Sequence, residues 1–223
     1  HRVNNLVGII PVRVQGLREK RPSLGGDPYA DAALNDIEAG ARSAMTAARE
    51  AMAYLRPMKL QPTSVEACFR TARERLTLPD GLELAASGLD TLPPVLAGEE
   101  QLRLVLFNLM ENALDALAEQ PARAGWSPRI LVRGGAAPDP VAGRPSRVEI
   151  TVSDNGPGVP TDRLDNIFDL SFSTKRSPRK LGFGLWWVKT LITRFGGEIH
   201  VANPPEGGTI FILRLPRAEE NPA

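Results

Sequence analysis

Asn108 and Asn112 stand one helical turn apart with Glu111 between them, and amide and carboxylate oxygens at that spacing can share one hard cation or its waters. Asp154-Asn155-Gly156-Pro157-Gly158 follows a run of β-favouring residues ending at Val152. An aspartate at a strand end can accept a hydrogen bond from an exocyclic amine, and glycines beside it let the backbone approach a flat base. Lys180-Leu181-Gly182-Phe183-Gly184-Leu185 reads as a helix start, where glycines expose unpaired N–H groups to phosphate oxygens. Ser173-Thr174-Lys175-Arg176 and Arg179 make the preceding segment basic, as a polyphosphate cover should be. Taken singly, each group also reads as something plainer: a solvated helix face, a tight turn, a solvated loop. The spacing matches neither GxxxxGK[ST] nor GxGxxG after a strand, so a nucleotide site here has another geometry.

His1 lies on the opposite side of its helical wheel from Val3, with Asn5 on the same side as His1. An exposed imidazole can attack a γ-phosphoryl group, since one ring nitrogen is unprotonated near neutral pH. By itself His1 reads as a plain terminal histidine. His200, between Ile199 and Val201, reads as an outward strand residue.

The elements that must position these groups follow from periodicity. A helix over 99–119 puts Leu102, Val105, Leu106, Leu109, Ala113, Ala116 and Leu117 on one broad face and Asn108, Glu111, Asn112, Asp115 and Glu119 on the other. A strand over 148–152 leads to Asp154, and a helix over 183–194 follows the third group. A helix over 65–76, strands over 82–84, 130–132, 198–201 and 209–215, and a Gly/Pro-rich loop over 134–145 complete this part. The order fits a sheet covered by helices. Toward the start, Val3, Leu6, Val7, Ile10, Val14 and Leu17 recur at helical steps, bent at Pro11. After a break at 21–28, a helix over 29–56 carries Leu34, Ile37, Ala41, Ala44, Ala48, Met52 and Leu55. Such a hairpin exposes a large apolar stripe, which pairing with a second copy as a four-helix bundle would cover.

With 42% apolar residues, the 223-residue chain can build a core for one ordinary domain and a smaller second one. Charge is balanced, 27 basic against 26 acidic residues, and only 5% of residues are aromatic, so neither nucleic acid nor an anionic surface is expected as main partner. Cys68 is the sole cysteine, which excludes internal disulfides and cysteine metal clusters and fits a reducing setting. No apolar run suits a bilayer and the first residues have no signal-peptide layout, so no membrane contact by this segment and a cytoplasmic location are expected. The initial residue is His rather than Met, which leaves room for an upstream anchor or sensor.

Asn108-Leu109-Met110-Glu111-Asn112-Ala113 resembles the asparagine box of the superfamily shared by histidine kinases, type II topoisomerase ATPase subunits, Hsp90 chaperones and mismatch-repair ATPases. Asp154 to Gly158 is similar to its first glycine box and Leu181 to Leu185 to its second. Residues 167–175 resemble the phenylalanine box peculiar to histidine kinases, and His1-Arg2-Val3-Asn4-Asn5-Leu6 their phosphoacceptor box. Phe195-Gly196-Gly197-Glu198-Ile199, Gly207 to Phe211 and Leu215-Pro216 follow the usual close of the domain. On these motifs the chain resembles a bacterial sensor histidine kinase.

The resemblance implies an α+β fold: a two-layer sandwich whose mixed, mainly antiparallel sheet is covered by helices on one face, preceded by the dimerising hairpin. It implies a hairpin over 1–58, an ATP-binding domain over 59–218 and a tail over 219–223. Asn112 would be the main Mg2+ ligand, with Asn108 as helper. Asp154 would take the adenine amino group, with Gly156 and Gly158 shaping its pocket. Glu111, Asp115, Ser173, Thr174, Lys175, Lys180, Gly182, Phe183, Gly184 and Leu185 would complete the ATP site, 170–180 forming its lid. His1 would be autophosphorylated and pass the group to an aspartate of a response-regulator receiver. Asn5 matches the position that positions water for receiver dephosphorylation. Arg2 departs from the pattern, standing where an acidic base is usual, and an arginine cannot take a proton under working conditions. Asp36 and Glu38 are the substitutes the sequence offers. A kinase-impaired dimeric scaffold or receiver phosphatase, and an anti-sigma-type serine/threonine kinase, are the competing functions.

Overall fold

The computed structural model describes residues 10, 13–17, 19, 29–38, 40–41, 57–120, 125–137, 147–169 and 184–218. They fall into two units, one holding the described residues up to Pro57 and the other those from Met58 onward.

In the first unit residues 13–17 and 29–38 are helical. Val14 and Ala41 are buried, whereas Leu17 and Ile37 of the expected apolar stripes are exposed. The stripe positions before residue 10 and after residue 41 lie outside the described residues. So do Arg2 and Pro11.

The second unit begins with β1 (Gln61–Thr63), paired antiparallel with β3 (Val95–Ala97). Between them come α1 (Val65–Glu74), whose N-cap Ser64 accepts from the Ala67 amide, and β2 (Glu83–Ser87). Next follow α2 (Glu99–Ala118), β4 (Arg129–Ala136), β5 (Arg147–Asp154), α3 (Gly184–Arg194), β6 (Glu198–Ala202) and β7 (Ile210–Pro216). The main sheet has the order β2-β4-β5-β7-β6, with β2 parallel to β4 and every other pair antiparallel. It is therefore a mixed α/β arrangement, mainly antiparallel, as expected.

Alternation sets the buried face of the sheet. Val132 pairs with Val152, Val152 with Phe211, Ile150 with Leu213 and Val148 with Leu215, and all are buried. α2 packs on β4 and β5, α1 and α3 pack against α2, and α3 also meets β6. The intervening strand positions carry ion pairs instead: Arg214 Nε to Glu149 Oε2 at 2.9 Å and Arg147 to Glu198 Oε1 at 2.9 Å. His200 lies on that polar side, exposed, with Nε2 at 3.7 Å from Glu198, in keeping with the outward reading.

Packing, not capping, holds α2. Its N-cap is Gly98, which offers no side-chain hydrogen bond, whereas a Ser or Asp cap would contribute about 1 kcal/mol. Leu102, Leu106 and Leu109 have no exposed surface, and truncating any one of them to Ala should cost about 3 kcal/mol. α3 ends on a Schellman pattern: the Gly197 amide donates to the Ile192 carbonyl and the Gly196 amide to that of Thr193. That turn, with Phe195 buried beneath it, sends the chain into β6.

Three local expectations shift. The strand expected at 82–84 runs Glu83–Ser87, because parallel pairing with β4 recruits Ala85, Ala86 and Ser87 despite weak strand preference. The loop expected from Gly134 begins later, since β4 continues to Ala136. Gly134 serves a close approach, where a Cβ would stand 2.6 Å from Leu92 Cδ1 and 2.8 Å from the Gly88 carbonyl oxygen. Asp154 belongs to β5 rather than following it, which decides where its side chain goes.

Candidate functional site

Asp154 ends the alternating series Val148, Ile150, Val152, so its carboxylate falls on the buried side of the sheet, 8% exposed. Oδ1 accepts the Gly156 amide at 2.8 Å, and the Thr209 side chain also hydrogen-bonds the carboxylate. Burial raises the Asp154 pKa above 3.8, outweighing the hydrogen bonds from Gly156 and Thr209 that favour the charged form. A dry acceptor of this kind suits a ligand amine.

The loop leaving Asp154 is fastened on both sides. The Asn155 side chain accepts the Arg129 amide at 2.8 Å and donates to the Ser127 carbonyl at 2.8 Å, and its carbonyl accepts the Trp126 indole N–H at 3.3 Å. Asn203, 44 residues beyond Val159, accepts the Val159 amide at 3.0 Å and donates to its carbonyl. Thr209 adds its carbonyl as acceptor for the Asp154 amide at 3.0 Å.

α2 brings the other groups to this loop. Asn108, Asn112 and Ala116 form one row along the helix, spanning about 12 Å. At one end a Cβ on Gly184 would stand 3.2 Å from Asn108 Oδ1, and at the other a Cβ on Gly156 would stand 3.5 Å from that of Ala116. The row thus joins the start of α3 to the Asp154 loop. Asn108 Nδ2 donates back to the Leu104 carbonyl at 2.8 Å, which leaves Oδ1 on the Gly184 side. Unlike a freely solvated face, Asn108, Glu111, Asn112 and Asp115 are all half-buried, and Glu119 alone of that set is exposed.

Asn112 Nδ2 is buried with no hydrogen-bond partner among the described residues, and a buried amide so placed suits a ligand that supplies the partner. Its two ends exchange by a half-turn, so it can present oxygen as readily as nitrogen. Among the described residues no group of three or more His, Cys, Asp or Glu could hold a metal ion. Amide oxygens without a carboxylate cage fit Mg2+, which keeps waters and takes phosphate oxygens as its other ligands.

Gly158 packs below the loop, where a Cβ would stand 3.0 Å from the Gly208 carbonyl oxygen, and Leu185 is half-buried in the first turn of α3. Ile167 and Phe168 of the phenylalanine box are buried; Phe168 meets Phe211 edge-on at 6.4 Å between centroids, and Lys189 Nζ lies 5.5 Å from its ring centroid. Cys68 is buried away from these groups in α1, and desolvation pushes its thiol up to about 12. His1, Asn5, Ser173, Thr174, Lys175, Lys180, Gly182 and Phe183 lie outside the described residues. Sequence reasoning missed Thr209, Asn203 and the clamp made by Asn155. The available signals were polar residues at strand ends flanking the Pro204 to Gly208 turn, and an asparagine inside the Asp154 loop.

Residues 97–219 match the family of histidine kinase-, DNA gyrase B-, and HSP90-like ATPases. The chain is 35% identical over 159 residues to the C4-dicarboxylate transport sensor protein DctB of Pseudomonas aeruginosa, covering 71% of this chain and 24% of that protein. It is 34% identical over 127 residues to the sensor protein FixL of Bradyrhizobium diazoefficiens, covering 57% of this chain and 23% of that one. It thus spans about a quarter of the length of these two relatives. Among solved structures, the mycobacterial sensor histidine kinase MprB aligns with TM-score 0.57 at 22% identity, over 72% of this chain and 100% of that one. Full-length ShkA in complex with AMPPNP aligns with TM-score 0.63 at 21% identity, over 98% of this chain and 46% of that one. These two likenesses concern the fold. Among the described residues no helix is long and apolar enough to cross a membrane.

Proposed function

The chain belongs to the family of histidine kinase-, DNA gyrase B-, and HSP90-like ATPases, and from that premise we propose that it is the catalytic core of a cytoplasmic sensor histidine kinase. It binds ATP with Mg2+, autophosphorylates on His1 and passes the phosphoryl group to an aspartate of a response-regulator receiver. Residues 59–218 form the ATP-binding domain and residues 219–223 a tail. Residues 1–58 form a hairpin that dimerises as a four-helix bundle, a reading supported by the exposed Leu17 and Ile37.

One observation carries the nucleotide reading: the row Asn108, Asn112, Ala116 ends at Gly184 on one side and Gly156 on the other. In this assignment Asp154 accepts the adenine amino group, with Gly156 and Gly158 against the base. The start of α3 at Gly184 and Leu185 turns its backbone N–H groups and its positive dipole end toward the phosphates. Asn112 and Asn108 hold the cation, with Glu111 and Asp115 beside them, and Mg2+ when bound offsets charge on the phosphates. Ser173, Thr174, Lys175, Lys180, Gly182 and Phe183 form the cover. The unprotonated ring nitrogen of His1 attacks the γ-phosphorus, the bond to the bridging oxygen breaks, and ADP leaves. Asn5 positions water for the reverse signal, receiver dephosphorylation. Arg2 cannot serve as base: either autophosphorylation is slow or another group takes the imidazole proton, for which Asp36 and Glu38 are the candidates.

Incubation with γ-labelled ATP at several pH values, followed by candidate receivers, tests this. Acid-labile label should appear on the chain and chase to a receiver, and His1→Gln should remove it while sparing nucleotide binding. Label retained in that variant rules out His1 as acceptor. Acid-stable label on a partner protein points to a serine/threonine kinase, and nucleotide binding with no label to a scaffold or phosphatase.

A further inference from the structure

We propose that Asn155 and Asn203 are positioning residues for the base-reading carboxylate of Asp154, a role that rests on the nucleotide reading above. The backbone ladder between β4 and β5 reaches the pair Ile130 and Asp154. One residue later Asn155 extends it with four hydrogen bonds: its amide to the Arg129 carbonyl, its side chain to the Arg129 amide and the Ser127 carbonyl, and its carbonyl to the Trp126 indole. Asn203 holds the far end of the same loop by taking both main-chain polar groups of Val159. The loop from Asp154 to Val159 is therefore pinned at each end by a side-chain amide that faces neighbouring backbone rather than the Asp154 carboxylate. With both pins in place, the Gly156 amide stands where it donates to Asp154 Oδ1, and the carboxylate has one orientation. Losing either pin lets the turn rotate and carries the carboxylate with it.

A purely structural clamp would lower affinity for every nucleotide together. A positioning clamp changes which base is preferred. Hypoxanthine presents a carbonyl oxygen where adenine presents its amine, so a fixed carboxylate accepts from one and repels the other. Calorimetric titration of the 223-residue chain with Mg·ADP and Mg·IDP measures that preference. Asn155→Ala and Asn203→Ala should each weaken ADP binding about tenfold while IDP binding stays within about twofold. Asn155→Asp keeps the acceptor for the Arg129 amide but sets a carboxylate oxygen against the Ser127 carbonyl, and it should shift the ratio the same way. Thermal melts identify any alanine variant that does not fold. In that case Asn155→Asp and Asn203→Asp, which keep the side-chain shape, carry the comparison. Folded variants with the wild-type ADP/IDP ratio, including those in which both affinities fall in parallel, overturn the positioning role alone. A wild type that binds neither nucleotide, or both alike, overturns the reading of the site beneath it.

Discussion

Gly208 approaches the main-chain carbonyl of Asp154 so closely that a Cβ on it would overlap that oxygen, and its φ of +86° lies in the left-handed region. No side chain resolves both conditions. Gly208→Ala should lower the unfolding free energy by about 3 kcal/mol in urea denaturation. A loss under about 1 kcal/mol would mean that the two turns move apart easily.

Asn112→Ala should separate binding from folding. The buried Nδ2 makes no hydrogen bond among the described residues, so its removal should change stability by no more than about 1 kcal/mol. Nucleotide affinity measured with and without Mg2+ should then become the same. Persistence of a magnesium-dependent gain would place the cation elsewhere.

Burial raises the Asp154 pKa above its ordinary 3.8, so between those two values the native state holds more protons than the unfolded chain. Stability from this group is therefore greatest at low pH and declines as the pH climbs through the raised value. Denaturation of wild type and Asp154→Asn from about pH 3 to about pH 7 should show the wild type losing ground to the variant. A constant difference across that range would contradict the dry environment described for the carboxylate.

Cys68, buried and with its thiol pushed up to about 12, should be silent toward thiol reagents near pH 8 in the folded chain. It should react in a single phase on addition of denaturant. Stoichiometric labelling before unfolding would show that α1 opens locally from the helical layer.

Much of the helical layer could be read from spacing. The series Leu102, Val105, Leu106, Leu109, Ala113 fixes one side of α2, and periodicity then places Asn108 and Asn112 on the other. Runs of apolar and β-branched residues likewise mark β4 at 130–132, β5 at 148–152 and β7 at 209–215, each starting within one residue of the observed strand. What spacing could not give was encounter between distant segments. Asn203 and Val159 are 44 residues apart, and neither neighbourhood carries a local sign of the other. Thr209 reads as a strand start, and its hydrogen bond to the Asp154 amide is tertiary. Gly134 read as a loop breaker because its reason, the nearness of Gly88 and Leu92, is tertiary. Asp154 reads as a turn residue, but the strand runs two residues further, through Ser153 and Asp154, and so turns its side chain inward.

The loop at Asp154 is held by three stretches far apart in the chain: 127–129, 154–159 and 203–209. Loop closure over such separations is slow, so this corner should be among the last parts to form. During synthesis Thr209 must leave the ribosome before the aspartate meets its partner, and the emerging chain has no nucleotide to help it until then. Products ending short of β7 should therefore accumulate with the helical layer partly collapsed and the base-reading corner missing, natural substrates for quality-control proteases.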